Sequence, residues 1–407
     1  MKICAIVAEY NPFHNGHKYQ IDKTREILGE DTAIVAIMSG NYTQRGELAV
    51  CDKLERAKAA VESGVDLVLE LPFPYSISSA EFFASAAIQI IDKLGVCDHI
   101  VFGTENCSSE EILEYTKIIE GEEFNKVFDE ISALRENADC GYPRLSEMTL
   151  TKIGRPDLAT KLLSSNNILA TEYIKAIGKY NVSITPLTIN RSGAGYNDSF
   201  ISGERLQSAS AIRALLDDGD LSALDYVPFS AKEAFLKAIE SKKMPSSDKK
   251  MSGAVISNLR LNSPDSECDI HDATGGLYNR LSRLSLEATD IQSLTALAET
   301  KKYTRARIRR AIWNTFFGVT SSEVRSAPLF TQILAMNGVG RRVLKRIPKR
   351  TDFHIFTKPT STASVDKQIL LQKSRSDRAD KVYGLSLEEP LDGSYFLKMT
   401  PFVKCDE

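Results

Sequence analysis

What most restricts the fold of this chain is the alternation through its first 105 residues, where short apolar runs recur between stretches of helical texture. Each run is too short for a buried helix and suits a strand covered on both faces. Ile3 to Val7 reads as a first strand, ending at Ala8 and Glu9, and Thr32 to Met38 as a second. Val65 to Leu71 reads as a third, stopped by Pro72 and Pro74, and His99 to Phe102 as a fourth, closed by Gly103. Between them, Leu54 to Ser63 places Ala57, Ala60 and Val61 on one side of a helix. Ser79 to Leu94 is an alanine-rich helix, with Ser79 and Glu81 as its cap and Gly95 as its stop. Apolar strands alternating with helices imply a parallel, right-handed, Rossmann-like doubly wound α/β sheet.

In such a sheet ligands lie outside the carboxyl ends of the strands. The first strand-to-helix junction, Val7, Ala8, Glu9, Tyr10, Asn11, Pro12, Phe13, His14, Asn15, Gly16, His17, Lys18, Tyr19 and Gln20, is therefore the first candidate site. Asn11-Pro12 breaks the strand, and beyond Gly16 the pattern is helical, with Tyr19, Ile21 or Ile27, and Leu28 available to face the sheet. His14 and His17, two of only five histidines, share one face of the first helical turn. Backbone N–H groups and the positive end of the helix dipole point the same way, which makes an anion site to which two imidazoles add donors. Gly16 lets a base or phosphate approach the backbone. Taken alone, an HxxH spacing is most often two surface histidines.

His14-Asn15-Gly16-His17, preceded by Tyr10-Asn11-Pro12-Phe13, resembles the HIGH signature of the nucleotidyltransferase superfamily. Glu9 to His17, then Met38 to Asn41 and Gln44-Arg45-Gly46-Glu47, are similar to one bacterial family, the tRNA(Met) cytidine acetate ligases. Gly64 to Pro72, Phe102 to Glu105, Asn166 to Leu169 and Ser208 to Arg213 continue the resemblance in order. It implies an ATP site built from residues 7–20 with Gly103, Asn167, Arg191, Ser192, Ser208 and Ser210, and His14, His17 and Arg213 as charge-stabilising catalytic groups. It implies acetate as the acid activated, magnesium carried by the triphosphate rather than by protein ligands, and elongator tRNA(Met) as the acceptor, modified at its wobble cytidine. An adenylyl- or cytidylyltransferase acting on a small phosphorylated metabolite would use the same two motifs. A catalytically silent RNA-binding protein that kept the fold is a third reading.

Other residues of this set have plainer readings from spacing alone. Gly103 serves equally as a turn glycine. One of Asn166 and Asn167 reads as the cap of a helix to about Tyr180, leaving the other for a ligand. Val182 to Ile189 alternates as a strand, and Arg191 and Ser192 fall in the loop after it. Ser208, Ser210 and Arg213 open a further helix, where phosphate binding and simple capping fit almost equally well.

At 407 residues, two domains are expected. Residues 1–225 form the nucleotidyltransferase-like unit with a helical insertion near 108–165, and residues 226–407 form a mainly helical, basic domain. Within the latter, Lys242 to Lys250 and Leu261 to Gly276 read as loops, Leu277 to Phe317 as helical, and 321–350 as a further helix. The net charge of −3 hides two runs without an acid: Lys301, Lys302, Arg305, Arg307, Arg309 and Arg310, then Arg341, Arg342, Lys345, Arg346, Lys349 and Arg350. Removing these twelve charges leaves −15 for the rest of the chain. Such concentration suits a polyanion, and Tyr303, Trp313 and Phe316 supply aromatic surface for RNA bases. A helix with a solvated basic face explains the first run as well. Seven scattered cysteines without CxxC spacing, and no long uncharged apolar stretch, point to a cytoplasmic protein with no membrane span and no zinc site. No stable protein partner is implied.

Overall fold

The computed structural model describes residues 1–137, 140–162, 164–190, 200–201, 204–205, 207–262 and 269–405. The chain opens with β1 (Ile3–Ala8), α1 (Asn15–Leu28), β2 (Ala33–Ser39), α2 (Lys53–Glu62), β3 (Leu67–Leu71), α3 (Ala80–Leu94) and β4 (His99–Thr104). The helical insertion follows as α4 (Ser109–Glu120), α5 (Glu122–Ser132), α6 (Tyr142–Lys152) and α7 (Pro156–Leu162). The alternation resumes with α8 (Ser165–Lys179) and β5 (Thr185–Asn190), then the short pair β6 (Phe200–Ile201) and β7 (Glu204–Arg205), and α9 (Ala209–Asp217). Next come α10 (Phe229–Glu240), α11 (Lys249–Leu261), α12 (Leu277–Leu284), α13 (Ile291–Ala298), α14 (Arg305–Phe317) and α15 (Ser321–Arg325). The chain ends with β8 (Phe330–Met336), α16 (Gly338–Arg346), β9 (His354–Phe356), α17 (Lys367–Tyr383), α18 (Tyr395–Lys398) and β10 (Phe402–Val403).

The main sheet has the order β10-β8-β3-β2-β1-β4-β5, with β9 also paired to β8. Strands β1 to β5 are mutually parallel, and the apolar runs of β1 to β3 are buried on both faces as such a sheet expects, while β5 lies at its half-exposed edge. Their carboxyl ends therefore meet along one edge. Strand β8 enters antiparallel to β3, with Leu67 opposite Met336. This corrects the expectation of a continuous helix over 321–350. Phe330 to Ala335 is buried throughout, and a short apolar run buried on all sides has no periodicity that separates strand from helix. The helix over residues 79–94 also starts differently, since Ser79 occupies the cap position without a side-chain capping bond.

Burial alternates along β1: Cys4 and Ile6 face one core, Ile3 and Ala5 the other. On the first face α1 and α2 pack in the same apolar cluster as Leu277, Leu294, Ile308 and Trp313 of the C-terminal helices. On the second face lie α3, α8, the insertion, and Val343 of α16. Residue 225 thus marks a change of texture, while sheet and core continue across it. Among the described residues no helix is long and apolar enough to cross a membrane.

Candidate nucleotide site

Strand β1 leaves the sheet through a turn whose first residue, Tyr10, has φ 47°. A bulky side chain in this left-handed region costs about 1–2 kcal/mol, so the surrounding packing must hold it there. The Tyr10 ring is buried edge-on to Phe13 at 4.8 Å and to His17 at 4.9 Å between centroids. Burial pushes its phenol above the usual range. The next residue is tied down twice, by Val50 N–H donating to Asn11 Oδ1 at 2.7 Å and by Arg213 donating to its carbonyl at 2.8 Å.

His14 is the cap of α1. Its Nδ1 accepts from the Gly16 N–H at 3.0 Å, while the His14 N–H donates to His17 Nδ1 at 3.2 Å. This is a capping box built from two histidines. The rings stack at 3.8 Å. Both Nδ1 atoms act as acceptors, so in each neutral ring the proton resides on Nε2, the nitrogen on the far side from the helix backbone. The sequence had suggested open N–H groups at this helix start. Instead the Gly16 N–H is taken by His14, and the His17 and Lys18 N–H groups donate to the His14 carbonyl. Gly16 is required for this cap as well, because a Cβ there would lie 2.9 Å from His14 Cε1. Within the same stretch Pro12 and Phe13 are buried, and Lys18 pairs with Asp22 at 2.6 Å.

A loop after β2, residues 42–48, closes over this turn. Tyr42 bridges Leu48, Thr43 N–H donates to the Glu47 carbonyl, and Gly46 N–H donates to the Thr43 carbonyl. The Glu9 carboxylate accepts from Gln44 N–H at 2.8 Å, and burial pushes that carboxyl above its usual range despite this bond. Glu47 pairs with Arg213 at 2.8 Å. Arg213 of α9 is therefore brought to the HIGH-like turn, as the sequence had suggested, in contact with Asn11 and Glu47. Ser208 caps α9 by accepting from Ala211 N–H at 3.2 Å, and lies 3.1 Å from the Ser210 hydroxyl. Both serines are exposed.

Asn167 is buried and saturated: its amide donates to the Glu105 and Lys161 carbonyls at 2.8 and 2.6 Å and accepts from Glu105 N–H at 2.8 Å. It braces the loop after β4, next to Gly103, and the cap of α8 is Ser164 rather than either asparagine. Arg191 and Ser192 lie outside the described residues.

Three groups were not assigned a role by the sequence, although Asn41 and Glu70 fall in stretches that carry the resemblance. Arg56 is fully buried and donates to the carbonyls of Glu9 (2.6 Å), Ser39 (3.2 Å), Gly40 and Cys51 (3.0 Å), joining the ends of β1 and β2. Lys53 is buried between Glu70 at 2.7 Å and Asp380 at 2.6 Å. Burial drives the Glu70 carboxyl up to about 7 even with the Lys53 ammonium against it. Asn41 accepts from Lys53 N–H and donates to Asp380, so α17 is locked onto the carboxyl edge of the sheet. Among the described residues no group of three His, Cys, Asp or Glu side chains could hold a metal ion.

The basic runs separate in space. Arg309 is buried, donating to the Gly46 carbonyl at 3.2 Å and to Asp248 at 2.8 Å. Arg310 grips Asp272 at 2.7 Å and the Gln44 carbonyl at 3.3 Å. Arg307 donates to the carbonyls of Asp272 and Thr274. These three hold the loop over residues 42–48 and the segment that precedes α12, which corrects a uniformly solvated basic face. Lys301, Lys302 and Arg305 are exposed. The second run is exposed too, but it follows the antiparallel β8. It therefore sits at the amino edge of the parallel strands, where Arg346 reaches the Met1 carbonyl at 3.4 Å.

A mostly parallel sheet whose first strand ends in a histidine capping box is the architecture of a HIGH-motif nucleotidyltransferase fold. The chain belongs to the HIGH nucleotidyl transferase family, whose model matches residues 1–392. Within that family it belongs with the tRNA(Met) cytidine acetate ligases. It is 35% identical to the one from Thermoanaerobacter sp. (strain X514) over 364 residues, covering 88% of this chain and 89% of the relative. It is also 35% identical to that of Clostridium tetani over 416 residues, covering 98% and 99%. The crystal structure of Thermotoga maritima TmcAL bound with alpha-thio ATP is similar over the whole of both chains, with TM-score 0.88 and 29% identity.

Proposed function

We propose that this protein is an ATP-dependent tRNA(Met) cytidine acetate ligase. The observation that carries the reading is identity to ligases of that name along nearly the whole chain, with the histidine turn intact at the carboxyl edge of the sheet. ATP lies across that edge, against residues 7–20 and Gly103, as the Thermotoga relative with its bound ATP analogue supports. Acetate attacks the α-phosphorus, the bond to the β-phosphate breaks, and pyrophosphate leaves from acetyl-adenylate. His14 and His17 donate from Nε2 to charge developing on the phosphates. Arg213 exchanges Glu47 for phosphate oxygens, with Arg191, Ser192, Ser208 and Ser210 completing the phosphate side and Asn167 holding the loop beside the base. Magnesium would accompany the triphosphate and offset its charge, since no described side-chain cluster is placed to hold it.

The exocyclic amine of the wobble cytidine of elongator tRNA(Met) then attacks the acetyl carbonyl, and AMP leaves. RNA meets the part after residue 225, through Lys301, Lys302 and Arg305 near the site and through the α16 run farther along the molecule. The protein acts in the cytoplasm, with tRNA. The test is exchange of labelled pyrophosphate into ATP. Exchange that depends on acetate supports the reading, and exchange without any carboxylic acid, or none at all, removes it.

A further inference from the structure

The loop over residues 42–48 is a built object with one part left over. Its backbone is consumed by its own turn, by Glu9, and by Arg309 and Arg310. Its acid, Glu47, is paired with Arg213. Gly46 has φ +73°, and a Cβ there would lie 2.6 Å from Arg310 N, so the loop is seated directly on the backbone of α14. Arg45 alone is exposed, and it forms no ion pair with any described residue. Its neighbour Gln44 donates to the Glu9 carboxylate at 2.8 Å, which sets Arg45 one residue from the contact at the end of β1.

Arg305 lies one helical turn before Arg309, on the face that carries the loop. It too is exposed, as are Lys301 and Lys302 just ahead of it. Gly46, the residue after Arg45, sits on the backbone of Arg309 and Arg310, so Arg45 and Arg305 flank the same contact between loop and helix. The cation on the ATP side, Arg213, is drawn inward onto Asn11, whereas Arg45 stands on the outer tip of its loop.

We propose that Arg45 binds a backbone phosphate of the RNA beside the target nucleotide, acting with the exposed Arg305 and positioning the base over the activated acid. This rests on the reading of the protein as a tRNA ligase. A base delivered to a recessed site leaves its flanking phosphates at the mouth, and a guanidinium fixed on a rigid loop meets such a phosphate with two donors. The shared chemistry is phosphate, and ATP is the other source.

The test compares Arg45→Ala and Arg45→Lys with wild type in three assays: acetate-dependent pyrophosphate exchange, tRNA acetylation, and tRNA binding as a function of salt. The alanine variant should melt with wild type and exchange normally. Its KM for tRNA should rise roughly tenfold, and its slope of log K against log salt should flatten by about 0.7–0.9, the loss of one phosphate contact. Lysine should restore the slope and only part of the KM. Exchange falling in step with acetylation would assign Arg45 to ATP and overturn the proposal, as would unchanged slope and KM. If wild type itself showed no acetate-dependent exchange, the ligase reading would fail, while the salt slope would still decide whether Arg45 touches RNA.

Discussion

Gly46→Ala probes how the loop over the site is held. Gly46 lies in the left-handed region at φ +73°, where alanine costs about 1–2 kcal/mol more than glycine. The added methyl would lie 2.6 Å from Arg310 N, 2.7 Å from Arg309 C and 2.7 Å from Arg309 Cβ. None of these is the end of a flexible side chain, so loop and helix have to part by roughly 1 Å to regain ordinary contact. Overpacking of this kind costs about 1–3 kcal/mol. The bonds from Arg309 to the Gly46 carbonyl and from Arg310 to the Gln44 carbonyl weaken at the same time. The total is roughly 2–5 kcal/mol, to be read from urea denaturation of the whole chain. The same displacement pulls Gln44 from Glu9 and Glu47 from Arg213, so pyrophosphate exchange should fall as well. A variant within about 0.5 kcal/mol of wild type and fully active, the usual result for a neutral surface change, would refute the idea that α14 seats this loop.

His17→Ala should lower adenylate formation by roughly 10²–10³, the scale of one preorganised donor, and destabilise α1 by about 1 kcal/mol through its cap; near-normal acetate-dependent exchange would count against its role. Arg213→Ala should weaken ATP binding in calorimetry and leave tRNA affinity as it was, whereas unchanged ATP affinity and turnover would reduce Arg213 to a brace between Asn11 and Glu47. For Glu70, the folded-state value of about 7 lies above the ordinary 4.5. The folded protein then holds more protons than the unfolded chain between those values, so this site loses stability as pH rises from 4.5 to about 7, by on the order of 1–3 kcal/mol. Glu70→Gln should lack that segment of the stability profile, and parallel profiles for the two proteins would dismiss the assignment.

The sheet and its site were legible where chemistry is local. Uninterrupted apolar strands, the Asn11-Pro12 break and the His14-Gly16-His17 spacing each announce their own geometry within a few residues. The double histidine cap was less so, because histidine is an uncommon capping residue and only the ring orientations reveal it. Strand β8 escaped notice since Phe330 to Met336 is equally a fragment of buried helix, and its partner β3 lies far earlier in the chain. The arginines of α14 looked like an RNA surface because no acid stands near them in sequence. Their partners, Gly46 for Arg309 and Gln44 for Arg310, are 263 and 266 positions away. Likewise nothing near Lys53 points to Asp380, 327 positions on. Periodicity cannot report contacts of that range.

If this chain joins acetate to a cytidine of tRNA(Met), nucleoside mass spectrometry will show the product. Purified protein, ATP, magnesium, labelled acetate and unmodified elongator tRNA(Met) should yield one labelled acetylcytidine at the wobble position, with AMP formed in equal amount. No label is expected when that cytidine is replaced by uridine. Label appearing on another nucleoside, or AMP released without acetylated tRNA, would contradict it.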